Sequence, residues 1–245
     1  MRAGRPGVRL EVLGHWQLTA AGRSVALGQR EQRLLGLLAV RRNGSRSLIA
    51  GTLWPDSSES LALANLRSAL WQVQHRVPAM IEAQRSELTL AGFVQSDVGD
   101  LLTMVNLCES EPDKATTDDI AILATRRLLP GWTDEWVLLE RERICNRQLA
   151  VLQAVARDRA TAGCHRPAIL AAEAATRLEP LSEDTVELLI TSRLAVGDRS
   201  GALQAYRQWE HRLRRDLRLE PTLQMRRLVP RLIGDATVDQ RDTGG

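Results

Sequence analysis

The chain lacks the sequence signatures of common catalytic, nucleotide-binding and metal-binding sites. Its 245 residues contain no GxxxxGKS/T phosphate loop, no GxGxxG after a strand, no HExxH and no GxSxG. The four histidines are isolated in sequence, and none has an acid at the spacing of a metal site or a catalytic triad. We therefore expect a protein that is not an enzyme and that binds no cofactor and no metal.

Cysteine, lysine and long apolar runs are also scarce. The three cysteines, Cys108, Cys145 and Cys164, have no CxxC spacing, so we expect small buried thiols within helices. Lys114 is the single lysine against 32 arginines, which indicates GC-rich codon usage and implies nothing about function. No run approaches the roughly 20 apolar residues that span a bilayer, and residues 1–7 lack the apolar core of a signal peptide. These absences favour a cytoplasmic protein in a reducing compartment.

Acidic residues are sparse in the first part of the chain. Residues 1–97 hold 12 arginines and seven acids, a net charge of +5, whereas the 21 basic and 23 acidic residues of 98–245 give −2. Within residues 32–81 the only acids are Asp56 and Glu59, at the start of a predicted helix, where the helix dipole favours negative charge. This asymmetry favours a polyanionic partner for the first part and a neutral or protein partner for the second.

Strand-like and helix-like patterns follow one another over the first ninety residues. Apolar and polar residues alternate from Val8 to Val12, and Ala21-Gly22-Arg23 has the composition of a hairpin turn. Asn43-Gly44 is a C-cap signal for the first helix, and Pro55 stops the second. The predicted elements are strands at 8–12, 17–20 and 24–27, helices at 29–42, 47–54 and 58–77, and strands at 80–83 and 88–90. A small sheet, three helices and a hairpin in this order predict a winged helix, in which the hairpin is the wing.

The third predicted helix has a core face and a polar face. Its core positions, at the spacing of a buried helical stripe, are Leu66, Leu70, Val73 and Val77. Its predicted base contacts are Arg67, Ser68, Trp71, Gln72 and His75. Arginine pairs with guanine and glutamine with adenine in the major groove, so the polar face is suited to read bases. An ordinary amphipathic helix with a solvated outer face is the alternative. Trp71 either packs beneath the wing or contacts nucleic acid, and packing is favoured because large apolar rings are usually buried.

A second set of residues is suited to contact phosphates without reading sequence. The predicted phosphate contacts are Arg41, Arg42, Arg46, Trp54, Ser58, Arg76 and Arg85. The first three surround the turn between the first two helices, and Arg85 lies at the tip of the wing. The indole N–H of Trp54 can donate to a phosphate, although packing in the core explains this residue equally well.

The chain after Val98 has helical patterns without strand alternation. The predicted helices are 98–108, 118–129, 135–162, 167–178, 183–196, 199–216 and 221–233. Gly163 and Gly197 are 34 residues apart, as are Ala168 and Ala202, which is the period of tetratricopeptide helix pairs. Such pairs favour a surface that binds protein or dimerises.

These patterns predict a mostly α-helical protein with two domains. A winged-helix DNA-binding domain is predicted at 1–97 and a tetratricopeptide-like helical domain at 98–234, followed by a disordered tail at 235–245. Within the helical part, the segment 109–117 is expected to be a flexible loop.

Several segments resemble the Streptomyces antibiotic regulatory protein (SARP) family, over residues 8–233 as a whole. The segments are VRLEVLG at 8–14, QRLLGLL at 32–38, LWPDSSESLALANLRSALWQVQHRV at 53–77, LLPGWTDEWVLLERERICNRQLAVL at 128–152 and GDRSGALQAYRQWEHRLRRDLRLEPTLQMRRL at 197–228. The third is the most specific of them. Because both ends of the chain match independently, chance is a poor explanation of the resemblance.

The resemblance implies the architecture of the small SARP members, an OmpR-type winged helix joined to a bacterial transcriptional activator domain. It also implies an activator of a secondary-metabolite (antibiotic) gene cluster. Such a protein binds direct repeats in double-stranded DNA near the promoter −35 element as a homodimer, and recruits RNA polymerase through its sigma and alpha subunits. The wing turn at 84–87 departs from the family pattern because it lacks glycine and contains Glu87. The residues alone leave two alternatives open, a protein-interaction scaffold and a repressor that uses the winged helix without activation.

Overall fold

The computed structural model describes residues 7–230 and confirms the predicted fold class, a mostly helical chain with a small N-terminal sheet region followed by helices. The strands are β1 (Val8–Glu11), β2 (Gln17–Ala20), β3 (Arg23–Ser24), β4 (Asn43–Ser45), β5 (Ile81–Ala83), β6 (Glu87–Leu90) and β7 (Val94–Ser96). The helices are α1 (Gln29–Arg41), α2 (Arg46–Leu53), α3 (Glu59–Arg76), α4 (Asp97–Ser110), α5 (Thr117–Thr125), α6 (Glu135–Thr161), α7 (His165–Leu178), α8 (Glu183–Ala195), α9 (Arg199–Arg212) and α10 (Leu223–Arg226).

Backbone contacts divide the chain into two compact units. The first comprises the described residues up to Met104 together with Arg126–Cys145, and the second comprises Val105–Thr125 and the described residues from Asn146 onward. The predicted domain limits at residues 97 and 234 stay predictions, and the tail predicted at 235–245 lies outside the described residues.

The N-terminal sheet has four strands in the order β3-β2-β1-β7. Ala21 and Gly22, both at positive φ, make the predicted hairpin turn between β2 and β3, and β3 is shorter than the predicted 24–27. No sequence pattern predicts β7, which pairs in parallel with β1. The Asp97 carboxylate, just after β7, accepts hydrogen bonds from the backbone N–H groups of Val12 and Leu13, both at 2.9 Å. The sheet is therefore closed by a strand more than eighty residues away from β1.

A second sheet, of order β4-β6-β5, contains the wing. Its two wing strands, β5 and β6, lie where the sequence predicted them, but β4 is new. The expectation that Asn43-Gly44 caps α1 is wrong, because Arg42 takes the positive φ (67°) and the next three residues form β4. Gly44 instead lies close to α2, since a Cβ there would be 3.2 Å from Ile49 Cγ1.

Residues Arg126–Cys145 pack on α1 within the first unit. The predicted helix at 118–129 ends at Thr125, because the next residues are extended and Leu128 forms a bridge with Leu13. Gly36 of α1 makes room for the start of α6, since a Cβ at this position would lie 3.3 Å from Trp136 Cη2. This packing joins the N-terminal sheet and α1 to a segment about a hundred residues further along the chain.

The second unit contains successive helices that agree with the predicted repeat. Gly163 and Gly197 adopt φ values of 75° and 79° in the turns before α7 and α9, and Ala168 and Ala202 are fully buried. Glycine reaches this part of conformational space without strain, so both turns require it.

The last helices of the second unit differ from the predicted ones. The helix predicted at 199–216 is α9 followed by a π-helical turn at Leu213–Leu217, which ends at Arg218 in the left-handed conformation. The helix predicted at 221–233 is broken, with α10 at Leu223–Arg226 and a turn after it. Residues 231–233 of that prediction lie outside the described residues.

Two expectations about the second unit are wrong. The segment 109–117 contains the end of α4 and a 3-10 helix at Pro112–Lys114, and Arg159 donates hydrogen bonds to the backbone carbonyls of Asp113 and Ala115. Of the three cysteines only Cys108 is buried, whereas Cys164 is exposed at the N-cap of α7. A helical sequence pattern does not show that Arg159, far along the chain, holds the segment 109–117 in place. It also does not show that Cys164 lies just outside α7.

No helix between residues 7 and 230 has both the length and the apolar composition needed to cross a membrane. Over the same residues, histidine, cysteine and carboxylate side chains form no group of three or more that could hold a metal ion.

Candidate nucleic-acid interface

Helix α3 is held in the first unit by one apolar face. The four predicted core residues, Leu66, Leu70, Val73 and Val77, are all buried, as are Ala62 and Ala69 between them. They pack against α1 and α2, whose buried residues include Leu34, Leu38, Ile49 and Leu53. The core face of the helix is therefore confirmed.

The opposite face of α3 presents the predicted base-contacting residues to solvent. Arg67, Ser68, Trp71, Gln72 and His75 are all exposed. They span two helical turns and are free of acidic side chains, since the Glu59 carboxylate lies in the first turn of the helix. A helix of about 10–12 Å diameter with such a face fits the major groove of B-DNA, which is about 12 Å wide.

Trp71 does not pack beneath the wing, and that expectation is wrong. Its side chain is 63% exposed, and its ring stacks on His75 with a centroid separation of 5.3 Å and an interplanar angle of 7°. Because each residue turns about 100° around the helix axis, the position after the buried Leu70 points away from the core. The stack places a flat aromatic and imidazole surface in the middle of the exposed face.

The wing is tied to both helices that flank the turn before α3. The Gln74 side chain donates to the Ile81 carbonyl at 2.5 Å and accepts from the Ala79 N–H at 2.9 Å, which fixes the end of α3 to β5. Arg46, at the start of α2, donates from its backbone N–H to the Ser86 carbonyl at 2.9 Å. Gln74 is not among the predicted contact residues, although an amide between the two faces of a helix is a signal for such a bond.

Arg46 and Arg85 differ in their freedom to meet a phosphate. The Arg46 guanidinium lies 3.4 Å from the Gln84 carbonyl, a long hydrogen bond at an exposed position. Arg85 is exposed at the wing tip. Two acids, Glu82 and Glu87, are also exposed on the wing.

Arg41 and Arg42 are neighbours in sequence with different surroundings. Arg41 is half-buried, and its Nε donates to Glu140 Oε1 at 3.0 Å, so its charge is already paired within the first unit. Arg42 is exposed, as are Arg67 and Arg76 on α3. Within residues 7–230, Arg42, Arg67, Arg76 and Arg85 have no carboxylate within salt-bridge distance. Among the predicted DNA-contacting arginines, these four have neither a carboxylate partner nor a side-chain hydrogen bond within the described residues, so they are available to a polyanion.

The turn between α2 and α3 contains the remaining predicted phosphate contacts. Trp54 is half-buried directly after α2, and its backbone N–H donates to the Ala50 carbonyl at 2.9 Å. Ser58 is exposed at the N-cap of α3, with its Oγ 3.2 Å from Ser60 Oγ and no capping bond from its side chain. The exposed hydroxyls and the free N-terminal N–H groups of α3 suit an anion at this end of the helix.

Arg33 positions this turn from beneath. Its Nη2 donates to the Leu53 carbonyl at 2.7 Å, at the end of α2, and lies 2.6 Å from Asp134 Oδ1. A bond from a guanidinium to the last carbonyl of a helix fixes where that helix ends. The start of the α2–α3 turn is thus held by α1 and by the segment that precedes α6.

Comparison with known proteins identifies the second half of the chain. Residues 126–232 match the family described as bacterial transcriptional activator domain. No curated protein matches the chain. Among solved structures, the chain is similar to Mycobacterium tuberculosis EmbR in complex with a low affinity phosphopeptide, with a TM-score of 0.69 and 20% sequence identity.

The match to EmbR covers 94% of this chain and 65% of that one. At 20% identity the likeness shows a shared fold. The shared fold extends beyond the activator-domain match, over the sheets and the three helices that precede it. Taken together, the activator-domain match at residues 126–232 and the shared fold agree with the resemblance to the SARP family.

Proposed function

We propose that the protein is a sequence-specific DNA-binding activator of transcription. The observation that carries the proposal is the exposed, acid-free face of α3, formed by Arg67, Ser68, Trp71, Gln72 and His75. An apolar face buries the other side of the helix, so the exposed side chains are presented on a rigid element. In the proposed complex α3 enters the major groove and the wing contacts the adjacent backbone.

Within this proposal Arg67 and Gln72 read base edges, and Arg42, Arg76 and Arg85 contact phosphates. Arg46 joins them by exchanging its long bond to the wing carbonyl for a phosphate oxygen. Four phosphate contacts per protomer predict that log K falls with log salt with a slope of about −3 to −4. Arg41 is the weakest of the phosphate candidates, because Glu140 already neutralises it.

The finer assignment follows the family resemblance. We propose that residues 8–97 bind direct repeats near the −35 element of promoters in a secondary-metabolite gene cluster. The helical part, residues 98–233, forms a homodimer on DNA and holds the sigma and alpha subunits of RNA polymerase. The protein acts in the cytoplasm, without a cofactor and without catalysis.

The first experiment identifies the operator and then tests the α3 face. Genomic DNA captured by the full chain is sequenced, and the recovered site is footprinted. Arg67→Ala is expected to cost about 1–3 kcal/mol at the cognate site and to relax specificity at one base position. Arg85→Ala is expected to weaken binding to all sequences and to reduce the salt slope by about 1.

Arg23→Ala is the matched control, since it removes an exposed guanidinium from β3, outside α2, α3 and the wing. It is expected to leave both affinity and specificity unchanged. Two results would contradict base reading by α3. The first is that the wild-type chain shows no sequence preference at moderate salt, and the second is that Arg23→Ala and Arg67→Ala change operator affinity equally. Transcription from the recovered promoter with purified polymerase then separates activation from repression, and a scaffold would give neither footprint nor transcript.

A further inference from the structure

The second unit contains a cleft that the DNA-binding role does not use. The cleft has a volume of about 430 Å³ and lies between α7, α8 and α9. Its floor is apolar, with the buried Val186, Leu189 and Trp209. Its rim includes the exposed Arg177, Gln204 and Gln208. A cleft with an apolar floor and a few convergent polar groups is the usual form of a small-molecule site.

The polar groups of the cleft carry an excess of positive charge. Three arginines line it, Arg177 from α7, Arg193 from α8 and Arg212 from α9, against a single carboxylate, that of Glu173. Arg193 Nη2 lies 2.5 Å from Glu173 Oε1, so this pair neutralises itself. Arg177 and Arg212 have no carboxylate within salt-bridge distance among residues 7–230. Two guanidinium groups therefore line the cleft with no carboxylate in salt-bridge contact, and Asp216 is an acid whose charge still acts on Arg212.

Arg193 gives a second, independent indication of a missing partner. Its Nε is buried and has no hydrogen-bond partner within the described part of the chain. Asp198 Oδ2 is 3.9 Å away, which is too far for a hydrogen bond. A buried donor without an acceptor is costly, and a guanidinium N–H is satisfied best by an anionic oxygen.

The size of the cleft favours a small molecule over a folded segment of a partner protein. Two turns of α-helix with a diameter of about 10 Å fill roughly 850 Å³, twice the volume of the cleft. Small-molecule sites occupy about 300–1,000 Å³, so the cleft lies within that range.

We propose that this cleft binds a small organic anion with an apolar body. The carboxylate or other anionic group of the ligand meets Arg177 and Arg212, with the Arg193 Nε–H as a further donor. The apolar body packs on Val186, Leu189 and Trp209. The site lies within the activator-domain match at 126–232 and does not depend on DNA binding by α3.

A matched pair of probes tests the proposal on the full chain. Naphthalene-1-acetate carries an aromatic body and a carboxylate, and naphthalene-1-acetamide is its neutral counterpart of nearly the same shape. Isothermal titration calorimetry is expected to show binding of the acetate at least about ten-fold tighter than the amide, because charge-assisted hydrogen bonds are roughly twice as strong as neutral ones. Arg177→Gln with Arg212→Gln is expected to abolish this difference.

The control removes two positive charges at other positions of α7 and α9. Arg166→Gln on α7 with Arg207→Gln on α9 changes two exposed arginines outside the cleft and is expected to leave the preference intact. Gln208→Trp narrows the rim and is expected to weaken both probes, with circular dichroism confirming that each variant is folded.

Three results would overturn the proposal. The first is equal binding, or no binding at millimolar concentration, of the two probes by the wild-type chain. The second is a preference for the acetate that persists in the Arg177→Gln, Arg212→Gln variant. The third is tighter binding of polyglutamate than of the acetate, which would assign the cleft to an acidic protein segment.

Discussion

Arg41→Met removes the guanidinium that neutralises Glu140 within the first compact unit. The side chain of Glu140 is 8% exposed and that of Arg41 is 31% exposed, with 3.0 Å between Arg41 Nε and Glu140 Oε1. Arg143 Nη1 is 3.3 Å from the other carboxylate oxygen, but its side chain is 69% exposed. The substitution therefore leaves a nearly buried carboxylate with one solvated partner.

The expected loss lies between two limits. Removing one partner of a fully buried ion pair costs about 3–5 kcal/mol, whereas an exposed pair is worth about 0–1 kcal/mol. Because Arg41 is partly solvated and Arg143 stays close to the carboxylate, we expect the free energy of unfolding to fall by about 2 kcal/mol. Arg42→Met is the matched control, since Arg42 is exposed and unpaired among the described residues, and we expect a change below about 0.5 kcal/mol there.

Urea unfolding, followed by far-ultraviolet circular dichroism, measures both variants, and a double-mutant cycle isolates the pair. Arg41→Met with Glu140→Leu is expected to cost at least about 1 kcal/mol less than the two single changes together, because the second change removes the uncompensated charge. Affinity for the operator, measured without urea, should fall more for Arg42→Met than for Arg41→Met. Equal stabilities of the Arg41 and Arg42 variants, or additivity in the cycle, would refute the reasoning.

Three further predictions concern the wing, the end of α1 and the second unit. Gln74→Leu removes both bonds between α3 and the residues around β5, so the free energy of unfolding should fall by about 1–2 kcal/mol, whereas the exposed Gln72→Leu should change DNA affinity and leave urea stability unaltered. Arg42→Gly relieves a positive φ of 67° and should raise stability by about 0.5 kcal/mol in the same assay, and a loss of stability would count against strain at this residue. Burial raises the pKa of Cys108 above its ordinary 9.0, with help from the charge of Asp119, and burial likewise raises the pKa of Tyr206 above 10.0. Both groups therefore stay protonated to higher pH in the folded state than in the unfolded state. The free energy of unfolding should be constant below about pH 9 and decline above it. Urea midpoints that stay constant from about pH 8 to pH 11 would contradict this prediction.

The sequence predicted the elements whose evidence is local. The spacing of Leu66, Leu70, Val73 and Val77 reported the buried face of α3, because a helix repeats its environment every three to four residues. The wing strands were predicted for a similar reason, since apolar residues flank a short polar turn. Arg67 and the other exposed side chains of α3 then followed as the complement of the buried face, although their contacts with DNA stay a prediction.

The parts that the sequence did not reveal depend on distant partners. Strands β4 and β7 have three residues each, too few for a period, and each exists because another strand lies beside it. The bond between Arg33 and Asp134 joins positions a hundred residues apart, and a charged residue on a helix looks the same whether it is solvated or paired. Trp71 was judged by its residue type, which favours burial, whereas its position after Leu70 determined its exposure.

The packing of Arg126–Cys145 within the first unit bears on where this chain can be recombined with a relative. A crossover at residue 126 would replace the entire activator-domain match and also bring in foreign residues opposite Gly36, Arg33 and Arg41. Loss of the Trp136 ring that packs on Gly36, or loss of either carboxylate partner, would destabilise the first unit although residues 1–125 were not exchanged. A crossover after Cys145 would keep these contacts but would place foreign residues opposite Val105–Thr125, which Arg159 holds in the second unit. Hybrids built at that point should therefore retain the fold of the first unit and lose stability in the second.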